Sequence, residues 1–351
     1  MRNASLSSLI RHRVHLTIIL LASCLLAAGT LAAPASEPSS DRKLELLQRE
    51  IARLAALARG TVGVGAIHLE SGRAVYLNRS ERFAMASTYK VPMAVQLLHR
   101  VDQGQASLDE MVTLQQSDLS PGSGMITRLL DDPGVVLSLR NLLELMLIIS
   151  DNTATDLVLQ AAGGGQEVTA RMRALGIAAM RVDRPTLGII ADWAGIQKLP
   201  PREELSPEAF RPLYEAVSAE ERARARAAFE TDLQDTATPE AMARLLEKLW
   251  RGELLSPEST ELLLDIMRRC RTGANRIEGL LPPDTEVAHK TGTIGRTTND
   301  VGIIRLPEEA GHVVVVVFVK ESELDVEKRE RAIAQISRAI YDFFLFNPQG
   351  M

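Results

Sequence analysis

Apolar residues recur at Leu44, Leu47, Ile51 and Leu54, the spacing of one helix face, and predict a helix over residues 41–57. Residues 61–69 and 74–77 then read as two strands around a Ser71-Gly72 turn. From 85 to 250 the pattern is helical, and 139–149 is its most apolar stretch and the expected buried centre. Strand character returns at 286–289, 301–306 and 313–319. The run Val313-Val314-Val315-Val316-Val317 is too apolar for an exposed edge, so it predicts a central strand covered on both faces. A closing helix is expected over 327–346. This order describes an α/β (α+β) domain over 41–346, with its sheet built from both ends of the chain, in 61–80 and 284–320. The helical block 85–250 is then an insertion forming its own subdomain.

The first 35 residues differ from the rest. Arg2, Arg11 and Arg13 precede an apolar run over 14–26, and small residues lead to Ala33-Pro34-Ala35. This is the pattern of an export signal cut after residue 35. A second possible cut lies at Leu21-Ala22-Ser23-Cys24, which resembles the box where bacterial lipoproteins are cleaved and lipidated. The expectation is therefore a periplasmic or secreted protein, lipid-anchored only if Cys24 is modified. Loss of the leader moves the formal charge from −5 to −8. That balance favours solubility. With no basic block carrying interleaved aromatics, nucleic acid is excluded as a partner. Cleavage after residue 35 leaves Cys270 alone, read as a small apolar packing residue. His68, His99, His289 and His312 show no metal-ligand spacing, so neither metal nor cofactor is expected.

Three short motifs carry chemistry. Ser87-Thr88-Tyr89-Lys90 is an S-x-x-K pattern that puts an alcohol and an amine on one helix face. A serine hydroxyl is a poor nucleophile until a neighbouring base takes its proton. Alone the pattern is weak, since Ser40-Asp41-Arg42-Lys43 matches it too. Ser150-Asp151-Asn152 follows the buried helix and combines a proton relay with an amide, although such residues also cap helices. Lys290-Thr291-Gly292 is expected at a strand end, where lysine can anchor a carboxylate and glycine admits close backbone approach.

S-x-x-K, S-D-N and K-T-G in this order, separated by 63 and 140 residues, form the signature set of class A β-lactamases and penicillin-binding proteins. The flanks Glu81 to Ala86, Thr272 to Ile277 and Thr297 to Asp300 also resemble stretches of the class A β-lactamase family. The resemblance implies an antiparallel five-stranded sheet flanked by terminal helices, an inserted all-helical subdomain, a monomer, and acylation of Ser87 by β-lactams. It also implies roles. Lys90 and Ser150 pass protons, and the backbone N–H groups of Ser87 and Thr293 form the oxyanion hole. Asn152 holds the substrate's side-chain amide. Lys290, Thr291, Gly292 and Arg276 form the pocket for its carboxylate.

The chain departs from the family on one loop. The family activates its deacylating water with a glutamate in E-x-x-L-N, and the matching stretch here is Arg184-Pro185-Thr186-Leu187-Gly188-Ile189-Ile190. Thr186 stands at the glutamate and Ile190 at the asparagine. Asp156 occupies a position commonly held by asparagine. The loop closes at Asp235, so residues 184–235 are longer than usual and contain a charged helical insert. Asp192 is the first candidate for a substitute base, although a solvated or capping role suits it better. Three activities remain open: a β-lactamase with altered deacylation, a D,D-peptidase-like acyl transferase acting on D-Ala-D-Ala-like peptides, and a penicillin sensor or sink that stays acylated.

Overall fold

The computed structural model describes residues 42–347. The leader, Ser40 and the Cys24 box lie outside these residues. The main sheet comprises β1 (Thr61–His68), β2 (Ala74–Leu77), β3 (Val287–Ile294), β4 (Thr297–Arg305) and β5 (His312–Lys320). Its order is β2-β1-β5-β4-β3, and every neighbouring pair is antiparallel. The valine run therefore occupies the middle, as its composition requires. Alternation along β5 sorts it between two cores. Val313, Val315, Val317 and Val319 pack beneath helices α1 (Arg42–Ala55) and α10 (Val326–Phe346), against Ile51, Ile333 and Ile340. Val314, Val316 and Phe318 face the helical part of the molecule.

The helices that matter for the site are α2 (Lys90–Asp102), α3 (Leu139–Ile148), α4 (Asn152–Ala161), α5 (Thr186–Ala194), α6 (Pro207–Ala216), α7 (Ala219–Thr231), α8 (Pro239–Trp250) and α9 (Pro257–Arg268). α3 buries Leu139, Leu142, Leu143, Met146 and Leu147, and Ser138 caps it by accepting from the Asn141 N–H. α8 lies against the sheet where β1 carries Gly63. A Cβ there would stand 2.6 Å from Pro239 and 2.4 Å from Phe83.

Three expectations are corrected. The helical block does not end at 250, because α9 continues it and packs against α2, α3 and β3. The block is also not all-helical, since Thr236–Ala237 pairs antiparallel with Phe83–Ala84 just before it and Met111–Thr113 pairs with Val136–Ser138 within it. Both are too short to show a period of two. The late strands also run longer than their β-branched cores, so Lys290-Thr291-Gly292 lies within β3 rather than at its end.

Candidate active site

Four backbone segments converge at one edge of the sheet. Ser87 lies in a 3-10 turn, Ala86–Tyr89, that leads into α2. Ala86 immediately before it has φ +47°, a left-handed conformation costly for a residue with a Cβ. The strain is held by Asn299 of β4, whose amide donates to the carbonyls of Ala84 and Met85 at 2.9 Å each. β3 is the edge strand beside this turn. A Cβ on Gly292 would lie 2.7 Å from the Met85 carbonyl oxygen, 2.9 Å from the Ser87 nitrogen and 3.0 Å from the Thr88 nitrogen. The edge thus meets the Ser87 turn at a distance only glycine permits.

Behind Ser87, two buried lysines share one serine. Lys90 Nζ donates to the Ser150 carbonyl at 2.8 Å, Ser150 Oγ at 3.1 Å and Asn152 Oδ1 at 3.2 Å. Lys290 Nζ donates to the same Ser150 Oγ at 3.1 Å and to the Thr291 carbonyl at 3.0 Å. Burial, reinforced by the nearby Lys290 charge, drives the Lys90 amine well below the usual lysine range. Burial lowers Lys290 less, to about 8. Of the two amines, Lys90 is therefore the readier to give up its proton, and Lys290 is the one that stays mainly cationic at neutral pH. Ser87 Oγ makes no hydrogen bond among the described residues. The amine expected to reach it is held on Ser150, which takes φ +61° at the end of α3.

Asp151 fixes the loop over this cluster. Its carboxylate caps α4 through the Ala154 N–H at 2.9 Å and accepts from the Met125 and Ile126 N–H groups at 2.7 and 2.9 Å. Asn152 spends one amide N–H on the Pro121 carbonyl at 2.8 Å, and its other N–H remains for a ligand. Thr291 Oγ1 lies 2.5 Å from Thr272 Oγ1.

Arg276 is corrected from an open carboxylate ligand to a buried brace. Its Nε pairs with Glu330 at 3.0 Å, its Nη1 donates to the Gly292 and Asn299 carbonyls at 3.2 and 2.8 Å, and its Nη2 donates to Thr293 Oγ1 at 2.7 Å. Four of its five N–H groups are thereby used. It acts on the pocket by orienting Thr293. Glu330 lies 54 residues away on α10, so no local signal could reveal the pair.

The long loop is anchored at its neck by Arg184. Arg184 Nε meets Asp235 at 2.7 Å, and its Nη1 meets Asp232 at 2.9 Å and Asp192 at 2.7 Å. Asp192 is therefore corrected. It is about half exposed and spent on Arg184, not on the Ser87 cluster. Thr186 is buried at the start of α5, with its hydroxyl 2.5 Å from the Tyr89 hydroxyl. Asp156 lies behind it, accepting from the Thr186 and Leu187 N–H groups at 2.6 and 3.3 Å and from Ser120 Oγ at 2.7 Å. Burial raises its carboxyl. Ile190 flanks the same spot as the Asn152 amide, since a Cβ on Gly122 would stand 3.6 Å from one and 2.9 Å from the other.

The insert is held against the site's rim. α6 and α5 share a small apolar cluster containing Ala191, Ala194, Ile196 and Phe210. α7 buries no residue, yet its Glu230 reaches Arg296 at 3.4 Å, and Trp193 of α5 lies beneath the Gly295 turn between β3 and β4. Asn299, Thr272 and Tyr89 carry structural weight that their motifs did not announce. All three act through partners distant in sequence or hidden inside a motif. Among the described residues, no group of histidine, cysteine and acidic side chains is arranged to hold a metal ion.

A profile of the β-lactamase enzyme family matches residues 46–344. The β-lactamase VEB-1 of Pseudomonas aeruginosa is 27% identical, over 87% of this chain and 93% of its own length. The extended-spectrum β-lactamase PER-1 of the same organism is 29% identical, over 86% and 88%. Among solved structures, an ancestral class A β-lactamase aligns with a TM-score of 0.69 at 32% identity, covering 84% of this chain and 99% of its own. A β-lactamase from Chitinophaga pinensis aligns with a TM-score of 0.70 at 30% identity, over 85% and 98%. Motif order, site geometry and these matches along most of the chain lead to one conclusion: the chain belongs to the β-lactamase enzyme family, as a serine hydrolase of class A type.

Proposed function

We propose that the protein opens β-lactam rings through an acyl-enzyme on Ser87 and releases the product slowly. The observation that carries this reading is the convergence of Lys90 and Lys290 on Ser150 Oγ beside Ser87. Lys90, whose amine burial and the Lys290 charge make easier to deprotonate, can take the Ser87 proton as the hydroxyl attacks the ring carbonyl. Ser150, bonded to both lysines, can pass a proton to the departing ring nitrogen. The Ser87 and Thr293 N–H groups supply the oxyanion hole. The Lys290 cation and Thr291 hydroxyl receive the substrate carboxylate, and Asn152 receives its side-chain amide.

Hydrolysis of the ester needs a base, and the loop presents the Thr186 hydroxyl, already bonded to Tyr89. The nearest acid behind it, Asp156, has both oxygens engaged. Ile190 offers no polar group to hold water. A positioned general base contributes about a hundred- to ten-thousand-fold, so deacylation is the slow step. The apolar leader and the Cys24 box support export, with lipid anchoring decided by which cut is made. Intact-mass analysis with a penicillin tests the reading. One acyl adduct is expected, mapped to Ser87 and absent from Ser87→Ala, and an undiminished adduct on that variant would refute it.

A further inference from the structure

Thr186, Ile190 and Trp193 stand at i, i+4 and i+7 of α5 and share one stripe of that helix. Each meets a different wall of the site. Thr186 reaches Tyr89 behind Ser87, and Ile190 flanks Gly122 beside the Asn152 amide. Trp193 meets the turn between β3 and β4, where a Cβ on Gly295 would stand 2.7 Å from the indole Nε1. The stripe therefore runs alongside the edge strand, outward from the Ser87 turn. A substrate side chain whose amide is held by Asn152 continues between this stripe and the exposed Thr293 of β3. The contact of Trp193 with Gly295 ends that gap.

Both sides of the contact are held. On the sheet side, the Gly295 carbonyl accepts from Arg329 Nη1 at 3.0 Å. Arg296 donates to the carbonyls of Glu321 and Ser322, just past β5, at 2.6 and 3.3 Å. These bonds tie the turn to the end of the central strand. On the loop side, the hold comes from the insert. The Arg226 guanidinium of α7 lies 4.5 Å from the centre of the Trp193 ring. Gly195, left-handed at φ +85°, admits α7 closely, since a Cβ there would stand 3.2 Å from both Ala225 and Val217. Glu230 of the same helix then reaches Arg296 at 3.4 Å. α7 thus touches both walls of the gap, although it buries no residue of its own.

We propose that Trp193 is a specificity-determining residue for the side chain of the β-lactam, and that the α6–α7 insert is a strap holding its indole against Gly295. The inference rests on the β-lactam reading. A planar side chain such as thienylacetyl needs only the width of one ring between α5 and β3. A side chain branched next to its amide carbonyl, as in oxyimino cephalosporins, is wider there and must push the indole off Gly295. Neither partner yields readily, because the turn is bonded to the sheet and the indole is backed by Arg226. Trp193 would touch the side chain and none of the reacting atoms, so it selects the substrate without altering the chemistry at Ser87.

The test measures the second-order rate of Ser87 acylation on the full chain, by rapid quench and intact mass, for a thienylacetyl and an oxyimino cephalosporin. The wild-type protein should favour the thienylacetyl compound. A small misfitting group costs roughly 10–200-fold in a shaped pocket, so Trp193→Ala should narrow the ratio of the two rates by about tenfold or more. The thienylacetyl rate should change little. Glu230→Lys turns the tie to Arg296 into a repulsion, on a helix that buries nothing, and should narrow the ratio in the same direction with an unchanged Tm. It decides the matter if Trp193→Ala folds poorly. Equal wild-type rates, or a ratio that Trp193→Ala leaves unchanged while melting as the wild type does, overturn the role of Trp193. A ratio that Glu230→Lys does not move overturns the strap. No acyl adduct with either cephalosporin overturns the β-lactam reading and this inference with it, whereas acylation by both at equal rates overturns this inference alone.

Discussion

Replacing Gly292 with alanine should cripple acylation while leaving the fold intact. The added Cβ would meet three backbone atoms of the Ser87 turn at 2.7, 2.9 and 3.0 Å. Comfortable carbon contacts lie at about 3.5–4.0 Å, so strand and turn must separate by roughly 0.5–1 Å. None of the three atoms belongs to a side chain that could rotate away. Overpacking of this kind costs about 1–3 kcal/mol of stability, a loss a domain of this size can absorb. The kinetic cost is larger, because the displaced atoms include the Ser87 nitrogen proposed for the oxyanion hole and the backbone that aims Ser87 Oγ. A misplacement near 1 Å costs about a hundredfold in rate. The assay is acyl-enzyme formation with a fluorescent penicillin, sampled by rapid quench, beside a thermal melt of the same preparation. The expected outcome is a ten- to hundredfold fall in the acylation rate and a modest fall in Tm. Acylation within twofold of wild type would mean that β3 does not press on the Ser87 turn.

Lys90→Ala should slow acylation by orders of magnitude through loss of the proton acceptor, and labelling at the wild-type rate would remove Lys90 from that role. Lys290 binds carboxylate only when protonated, so the second-order acylation rate should fall as pH rises through about 8. Lys290→Arg should move that fall to higher pH, and an unmoved limb would assign it to another group. Asp235→Asn removes the charge and turns one of the two buried oxygens that accept from Arg184 Nε and from the Asp183 and Arg184 N–H groups into a donor, and should cost roughly 1.5–3 kcal/mol in urea unfolding, with faster proteolysis within the long loop. An unchanged midpoint and cleavage pattern would mean that Asp192 and Asp232 suffice to hold the neck.

Legibility from sequence followed the range of the interactions involved. The valine run disclosed the central strand because a strand covered on both faces must be apolar at every position. The S-x-x-K, S-D-N and K-T-G motifs pointed to one site through the family resemblance their order carries, and Lys90, Ser150 and Lys290 do meet in space. The closure of the long loop at Asp235 was legible through family resemblance alone. Arg276 was misread because its charge is neutralised by Glu330 from the last helix, and Asp192 because Arg184 claims it first. The same limit applies to Ser87 and Lys90. Their spacing promised a direct contact, but the amine is held by the carbonyl and hydroxyl of Ser150, 60 residues later.

The central claim is that Ser87 is acylated faster than the Thr186-bearing loop can release it. Stopped-flow turnover of a chromogenic cephalosporin at known enzyme concentration, with parallel quench and intact mass, tests it most directly. The account predicts a burst equal to the concentration of Ser87 sites, a steady state slower than the burst by a hundredfold or more, and an acyl-enzyme mass that persists between them. Linear turnover from the first milliseconds, with no acyl-enzyme trapped at any time, would contradict it.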